Sequence, residues 1–303
     1  MDETGGKVWV VDGQSGSTVG VKVGSGPDAI AINSLTGRVY VANADDGTVS
    51  ELDGDAVTRK FKAGTHPYML AVNAATGKVY VTNTFSDSVA EIDLNSATTR
   101  FLKIGSADNI AVDRRRNRVF MIGYEGADIR ILNGATDQVD KVTAHEHLWG
   151  MAVDEATGSL YVTGAGNSEL FKVDPASGKL TSILVGSIPC SVAVNAQTGL
   201  VYVVNYGDDS VSVIDGKTEK AIKVIHVGSH PQAIAVDDHV NRIYIANTHG
   251  DSVTVIDGQS NAVIGNVAAG RNPYAITTGA DPQTVYVGNY GEPSFTAVPV
   301  NVK

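Results

Sequence analysis

The sequence predicts an all-β fold, a seven-bladed propeller of four-stranded antiparallel blades, on three observations. One segment recurs seven times at intervals of 40 to 42 residues, the period of a four-stranded blade. Each copy holds four short strand-like runs divided by turn residues. The two chain ends carry complementary parts of the last copy.

The repeat is clearest where the chain enters the first strand of each unit. The seven versions are "GSGPDAIAIN" from Gly24, "GTHPYMLAVN" from Gly64, "GSADNIAVD" from Gly105, "EHLWGMAVD" from Glu146, "GSIPCSVAVN" from Gly186, "GSHPQAIAVD" from Gly228 and "GRNPYAITTG" from Gly270. In the second copy the strands are A from Met69 to Asn73, B from Lys78 to Asn83, C from Ser88 to Asp93 and D from about Thr98 to Ile104. Polar–apolar alternation is weak in A and B, as expected of sheets covered on both faces by neighbouring blades. Strand A keeps a small residue at one slot (Ala31, Ala71, Ala111, Ala152, Ala193, Ala235, then Thr277), which suits innermost strands crowded round an axis. The A–B turn has Gly or Asn where a left-handed residue is needed in most copies.

The seventh copy keeps A, B and a degenerate C ("SFTAVPV", from Ser294) and then stops. The opening stretch "KVWVVDGQSGSTVGVKVG" (from Lys7) matches strands C and D, as comparison with "SVTVIDGQSNAVIGNVAAG" (from Ser252) shows. The N-terminal segment is therefore expected to complete the last blade and remove exposed sheet edges; both termini offer a candidate strand C. The expected organisation is one domain over 1–303, with blades at about 24–63, 64–104, 105–143, 144–185, 186–227 and 228–269, and a last blade made of 270–303 plus 1–23.

Composition narrows the function. High glycine with recurrent valine and threonine favours strands and turns. A net charge of −10 argues against a general nucleic-acid binder, which needs clustered Lys and Arg. The one basic cluster, "DRRRNR" from Asp113, falls in a turn slot and reads as a solvated turn. No apolar run is long enough for a membrane helix. The single cysteine, Cys190, excludes an intramolecular disulfide and reads as a small buried hydrophobe, a thiolate ligand or nucleophile being the alternative. The start "MDETGGKVWV" has no signal-peptide pattern, so the chain reads as cytoplasmic or as a mature form with a new Met1.

"VYVTN" at Val79–Asn83, with "VYVAN", "LYVTG", "VYVVN", "IYIAN" and "VYVGN", resembles the YVTN-repeat β-propeller family over nearly the whole chain. The resemblance implies the propeller fold. Relatives of this architecture include surface-layer and periplasmic binding proteins, lactonase-like propellers and metal-dependent lyases. It also implies a periplasmic or secreted location, by analogy only.

Strands repeat for packing, so functional information belongs in the loops where copies diverge. In a propeller the D–A and B–C loops share one face. The slot before the loop proline holds Gly26, His66, Ser106, His147, Ile188, His230 and Asn272. Three of the chain's seven histidines thus stand at equivalent places on alternate blades. A divalent transition metal (Cu, Zn, Fe or Ni) held on the axis by His66, His147 and His230 would keep an open position for substrate or water. The alternative is that these are ordinary polar loop residues.

The slot after the proline holds Asp28, Tyr68, Asp108, Trp149, Cys190, Gln232 and Tyr274, suited to ligand stacking or to plugging the funnel. Arg271 on the same rim could hold a carboxylate. Asn43, Asn83, Asn205, Asn247 and Asn289 end strand B, a repetition that reads as structural, with side chains bonding nearby backbone. Two residues on stand Asp45, Phe85, Glu125, Gly166, Gly207, His249 and Gly291, among which His249 and Glu125 are candidate proton donors or acceptors. Tyr124, Tyr206 and Tyr290 sit beside them, and His145 and Glu146 enter the fourth blade on the same side. The Asp-Gly pairs at Asp53, Asp215 and Asp257 read as C–D turns.

Two functions follow. One is a metal-dependent enzyme of lyase, hydrolase or oxidase type acting on a small molecule: His66, His147 and His230 on the metal, His249 or Glu125 moving protons, and Tyr68, Trp149, Tyr274, Arg271, Tyr206 and Tyr290 shaping the substrate pocket. The other is a non-catalytic extracytoplasmic scaffold that recognises a glycan, peptide or protein on the same face. A monomer with no membrane span and no nucleic-acid partner is expected in either case.

Overall fold

The computed structural model describes all residues except 1–5, 12–17, 146, 279–283, 291–293 and 300–303. The fold is a seven-bladed β-propeller. It divides into two compact units, Met1–Ala144 and His145–Lys303. The first holds an N-terminal hairpin (Lys7–Val11, Thr18–Lys22) and blades one to three. The second holds blades four to seven. Blades one to six are four-stranded antiparallel meanders, at 27–62, 67–103, 109–143, 148–184, 189–226 and 231–268. Blade seven has three strands, Pro273–Thr278, Thr284–Asn289 and Ser294–Pro299.

Blade two matches the sequence reading closely: its strands are Pro67–Asn73, Lys78–Asn83, Ser88–Asp93 and Thr98–Lys103. Strand A starts two residues earlier than its apolar run, because the loop proline already lies opposite Asn83. In blade seven, strand C comes from the C-terminal end, with Tyr286 paired to Ala297. The N-terminal hairpin makes its own two-stranded sheet and packs Val8, Val21 and Val23 against Val41 and Leu52 of blade one. No helix is long and apolar enough to cross a membrane among the described residues.

Blade-to-blade packing explains the repeated sequence. Strands B and C are buried on both faces; Val79 to Asn83, for instance, is covered throughout. The strand-B tyrosine is the main anchor. Tyr40, Tyr80, Tyr161, Tyr202 and Tyr244 are all 1% exposed or less. Within the first unit Tyr40 joins Leu70, Val79 and Val81 of blade two, and Tyr80 joins Ile110, Val119 and Met121 of blade three. Within the second, Tyr161 joins Val192 and Val201, Tyr202 joins Ile243 and Ile245, and Tyr244 joins Val285 and Val287. Burying one Phe-sized side chain contributes about 1.5–3 kcal/mol, and the contribution is made at every such junction.

The turns follow their sequence signals. The A–B turns place Gly37, Gly77, Asn117, Gly158, Gly199 and Asn241 at positive φ. Two of the Asp-Gly turns are held by the Asp side chain: Asp215 Oδ1 accepts the amides of Lys217 and Thr218 at 2.8 and 3.1 Å, and Asp257 Oδ1 that of Ser260 at 2.8 Å. The "DRRRNR" cluster is a turn as read, with Asp113 Oδ1 accepting the Arg116 amide at 3.1 Å.

Two buried carboxylates, Glu51 and Glu91, stand on strand C of blades one and two. Glu51 is paired across strands with Tyr40, whose hydroxyl donates to Glu51 Oε2 at 3.0 Å. Arg59 grips the same carboxylate through Nε at 2.9 Å and Nη2 at 2.5 Å, and Thr58 donates to it at 2.8 Å. Glu91 is held in the same way by Arg100 and Lys78. Burial acts to raise the Glu51 pKa, but the hydrogen bonds from Arg59, Thr58 and Tyr40 outweigh it and bring it below its ordinary value. Burial and the Glu51 hydrogen bond push Tyr40 up to about 12. A depressed carboxyl stabilises the fold above its unfolded pKa and loses that contribution as pH falls through its folded pKa. Stability is therefore expected to decline as pH drops below 4.5, the ordinary value of the Glu51 carboxyl. At neutral pH, Glu51→Gln is expected to cost up to ~3 kcal/mol, less than a fully buried pair because Arg59 stays partly solvated. Urea unfolding at pH 7 and pH 4 measures both, and the variant should show the smaller pH dependence.

Candidate functional site

The slot before the proline is first a backbone device. Gly26, His66, His147, Ile188, His230 and Asn272 all have positive φ, between 49° and 64°. Each carbonyl accepts an amide from just beyond strand B of its own blade: Ala44 to Gly26, Thr84 to His66, Ala165 to His147, Tyr206 to Ile188, Thr248 to His230 and Tyr290 to Asn272, at 2.6–3.1 Å. The chain needs this left-handed residue to turn from the loop into the buried proline. Gly, Asn and His tolerate that conformation better than most side chains. In blade three the conformation passes to Gly105, and Ser106 is not at positive φ.

The aspartates at the start of strand C brace the same turn in the next blade. Asp209 Oδ1 accepts the His230 amide at 2.7 Å, and Asp251 Oδ1 accepts the Asn272 amide at 2.9 Å. Sequence reasoning missed this link. Its signal was present in the recurrent Asp-Ser pairs Asp209–Ser210 and Asp251–Ser252.

The left-handed slot and the variable B–C slot, read separately from the sequence, are partners in space. The His66 ring lies 5.7 Å from Phe85. A Cβ on Gly166 would stand 3.4 Å from His147 Nδ1, and one on Gly207 would stand 3.1 Å from Ile188. A Cβ on Gly26 would meet Asp45 at 2.8 Å. The most developed pair is in blade six, where the His230 and His249 rings lie 4.2 Å apart. Tyr206 meets His230 edge-on at 4.8 Å, and the Ser229 hydroxyl lies 2.9 Å from His230 Nδ1. His249 is carried on a short 3-10 turn, Thr248–Gly250, whose Thr248 hydroxyl donates to the Pro273 carbonyl at 2.8 Å. Two imidazoles, a hydroxyl and a phenol thus converge on one spot able to exchange protons or bind a polar ligand.

His66 belongs to the first unit, and His147 and His230 to the second. Among the described residues, no group of three or more His, Cys, Asp or Glu side chains is assembled that could hold a metal ion. Glu125 is exposed in the first unit beside the exposed Tyr124, whose amide donates to Asp108 Oδ2 at 2.8 Å. His249, exposed in the second unit, is joined with His230 as described. His145 lies 3.8 Å from Glu169 and stacks on Phe171. Glu146 and Gly291 lie outside the described residues.

The aromatic rim is present in both units. Tyr68 is 38% exposed; burial, then the charges of Asp28 and Asp108, raise its hydroxyl pKa. Trp149 and Tyr274 are exposed at the equivalent place. Tyr274 meets Tyr290 edge-on at 6.0 Å, and Tyr206 is half-buried against His230. Arg271 is exposed one residue before Asn272. Cys190 is buried, and burial pushes its thiol up to about 12, which suits a packing role.

The strand-B asparagines are structural, with hydroxyl partners added to the backbone ones. Asn205 Nδ2 donates to the Ser210 and Ser212 hydroxyls, and Asn247 Nδ2 to those of Ser252 and Thr254, all at 2.9–3.1 Å. Hydroxyls of strand C join the backbone partners that the sequence reading expected, which are the Thr48 carbonyl for Asn43 at 3.3 Å and the Val81 carbonyl for Asn83 at 3.4 Å. Asn43 alone also accepts the Gly24 amide, at 3.0 Å.

The left-handed slot makes a test of its own. His66→Asn is expected to leave thermal stability nearly unchanged, whereas His66→Val should lose about 1–2 kcal/mol, the cost of a left-handed conformation for an ordinary side chain. Thermal and urea unfolding compare the two; equal loss in both would mean that the imidazole, not the backbone, stabilises the turn.

The family model described as YNCE-like beta-propeller matches residues 21–300. A search of curated proteins finds no significant sequence match. Among solved structures, the chain is similar to Kuenenia stuttgartiensis hydrazine synthase at 17% identity, covering 92% of this chain and 96% of that one, with a TM-score of 0.73. It is similar to virginiamycin B lyase from Staphylococcus aureus at 13% identity, with 90% and 94% covered and a TM-score of 0.73. A streptogramin B lyase gives 14% identity, 91% and 94% covered, and a TM-score of 0.73. At such identities the likeness is one of fold. The family match, extending from the N-terminal hairpin to the end of blade seven, is of another kind: this chain belongs to the YNCE-like β-propeller family.

Proposed function

We propose that this protein is a binding propeller that recognises a glycan or another ring-bearing small molecule on its D–A and B–C loops. One observation carries the reading. Seven aromatic side chains are exposed among the described residues, and six of them border those loops: Phe85, Tyr124 and Tyr290 on B–C loops, and Tyr68, Trp149 and Tyr274 at the second residue of strand A, just past the D–A loop. Phe101, on an outer strand, is the exception. Single exposed apolar residues need no explanation, but confinement to one end of the strands does. Flat rings stack on sugar and aromatic faces, and imidazoles and Arg271 supply directional polar contacts beside them. An extracytoplasmic location, where glycans are met, fits this reading.

Trp149 is one of only two tryptophans, so its emission reports on the rim. Titration with a glycan panel is expected to shift that emission saturably. Trp149→Ala and Tyr274→Ala should each weaken the selected ligand by tenfold or more, with unfolding temperature unchanged, as for anchor residues in other interfaces. Undiminished affinity in both variants would overturn the proposal.

A second reading is catalytic and rests on the His230–His249 pair, with Ser229 and Tyr206 beside it. The pair could shuttle protons, or serve as two donors to a divalent Cu, Zn, Fe or Ni ion. Two of the fold neighbours are named as lyases, so the architecture is compatible with such activity. Elemental analysis of untagged protein tests the metal. Near-stoichiometric metal that is lost in His230→Ala supports this reading; none after reloading with each ion removes the metal from it.

A further inference from the structure

The turns at the opposite ends of the strands hold a separate feature. A cavity of about 350 Å³ opens between blades one and two, inside the first unit. Its lining includes Arg38, Arg59, Tyr40, Thr76, Leu35 and Leu94, and among the described residues it contains two guanidinium groups and no carboxylate. Glu51 lies behind both arginines and offsets one of the two charges. Asp53 stands 3.6 Å from Arg38 at an exposed edge.

Comparison with the other junctions explains the cavity. In three of them, the left-handed residue of the next blade's C–D turn reaches back with a polar side chain. Asp137 takes Arg100 through two contacts, Nη1 at 2.5 Å and Nη2 at 2.7 Å. Glu219 takes Lys172 at 3.0 Å, and Asn261 takes the Tyr202 hydroxyl at 2.7 Å. These three have φ of 62°, 59° and 53°. In blade two the same turn position is Ala97, φ 56°, with no polar atom to offer.

Arg59 and Arg100 are equivalents, paired across strands with Glu51 and Glu91. Arg100 holds two carboxylates, Glu91 and Asp137. Arg59 holds one, Glu51, and gives Nη1 to the Leu94 carbonyl at 2.8 Å. A guanidinium has five donors in a planar fork, which suits it to bidentate carboxylate recognition. The Thr76 hydroxyl, buried in the cavity wall, has no hydrogen-bond partner among the described residues. Leu35 and Leu94 give the remaining wall an apolar surface.

We propose that this cavity binds a small organic carboxylate. Its carboxyl group takes the place that Asp137 takes at the next junction, against Arg59 and Arg38, and its short aliphatic part lies along Leu35 and Leu94. The site is independent of the D–A and B–C loops, so it stands or falls apart from the binding function proposed there.

The test is a titration of the intact protein with sodium butyrate, read by the side-chain Nε–H signals of its arginines in heteronuclear NMR. Inorganic phosphate at matched ionic strength is the comparison. The expected result is a saturable shift of the Arg59 and Arg38 signals with butyrate. Ala97→Asp should supply the missing carboxylate from within, at a backbone conformation Asp tolerates, and weaken butyrate at least tenfold while the fold is kept. Three results would overturn the proposal: no saturable shift up to ~50 mM, well beyond a millimolar site; equal butyrate affinity in wild type and Ala97→Asp; or saturation by phosphate alone.

Discussion

A blade of this protein cannot bury its own sheet. Strands B and C are buried on both faces, so within each unit a blade must be covered by its neighbour, and in five blades the strand-B tyrosine is the residue that makes the cover. Tyr40, Tyr80, Tyr161, Tyr202 and Tyr244 leave almost nothing exposed, and each inserts into the cluster formed with the following blade. This requirement is the same at the junctions within both units, which is why the strand sequences are near-copies. It also fixes where the copies can differ. A change inside strand B or C is felt by two blades, whereas a change in a loop is felt by one or none.

The loops are not free either. The residue entering strand A must turn through a left-handed conformation to seat the proline, and its carbonyl must receive an amide from beyond strand B. That backbone requirement favours a few residue types, histidine among them, although blade five meets it with Ile188. The histidines of blades two, four and six therefore meet a structural need before any chemical one. Chemistry is added by what stands opposite. Phe85 makes the His66 slot apolar, Gly166 leaves room over His147, and His249 doubles the imidazole of His230. Among the described residues, the blade-six pair is the place where the slot gathers several proton-exchanging groups together.

At the other ends of the strands, the junctions share one plan and vary its members. A buried carboxylate under a tyrosine and an arginine recurs in blades one and two, and a side chain from the next C–D turn completes the arrangement at Arg100 but not at Arg59. Where the completing residue is alanine, the space remains, and Arg59 holds one carboxylate where Arg100 holds two. Repetition makes such an omission visible, because each junction shows what the others lack.

The period, the four strands per unit and the turn residues were legible in the sequence because they answer local rules: glycine or asparagine at positive φ, aspartate over a turn, apolar runs of strand length. So was the set of loop positions from which a site would be built, including Tyr68, Trp149, Tyr274, His230 and His249. What the sequence did not show was which of these meet. The pairing of the left-handed slot with the B–C slot, the bracing of one blade's turn by an aspartate of the blade before it, and the cavity beside Arg59 all depend on contacts between residues some 20 to 40 positions apart. The sequence alone determined the repeat, because every copy obeys the same local chemistry. The tertiary structure alone decided the neighbours, because the register between loops and between blades is set by packing that no single copy contains.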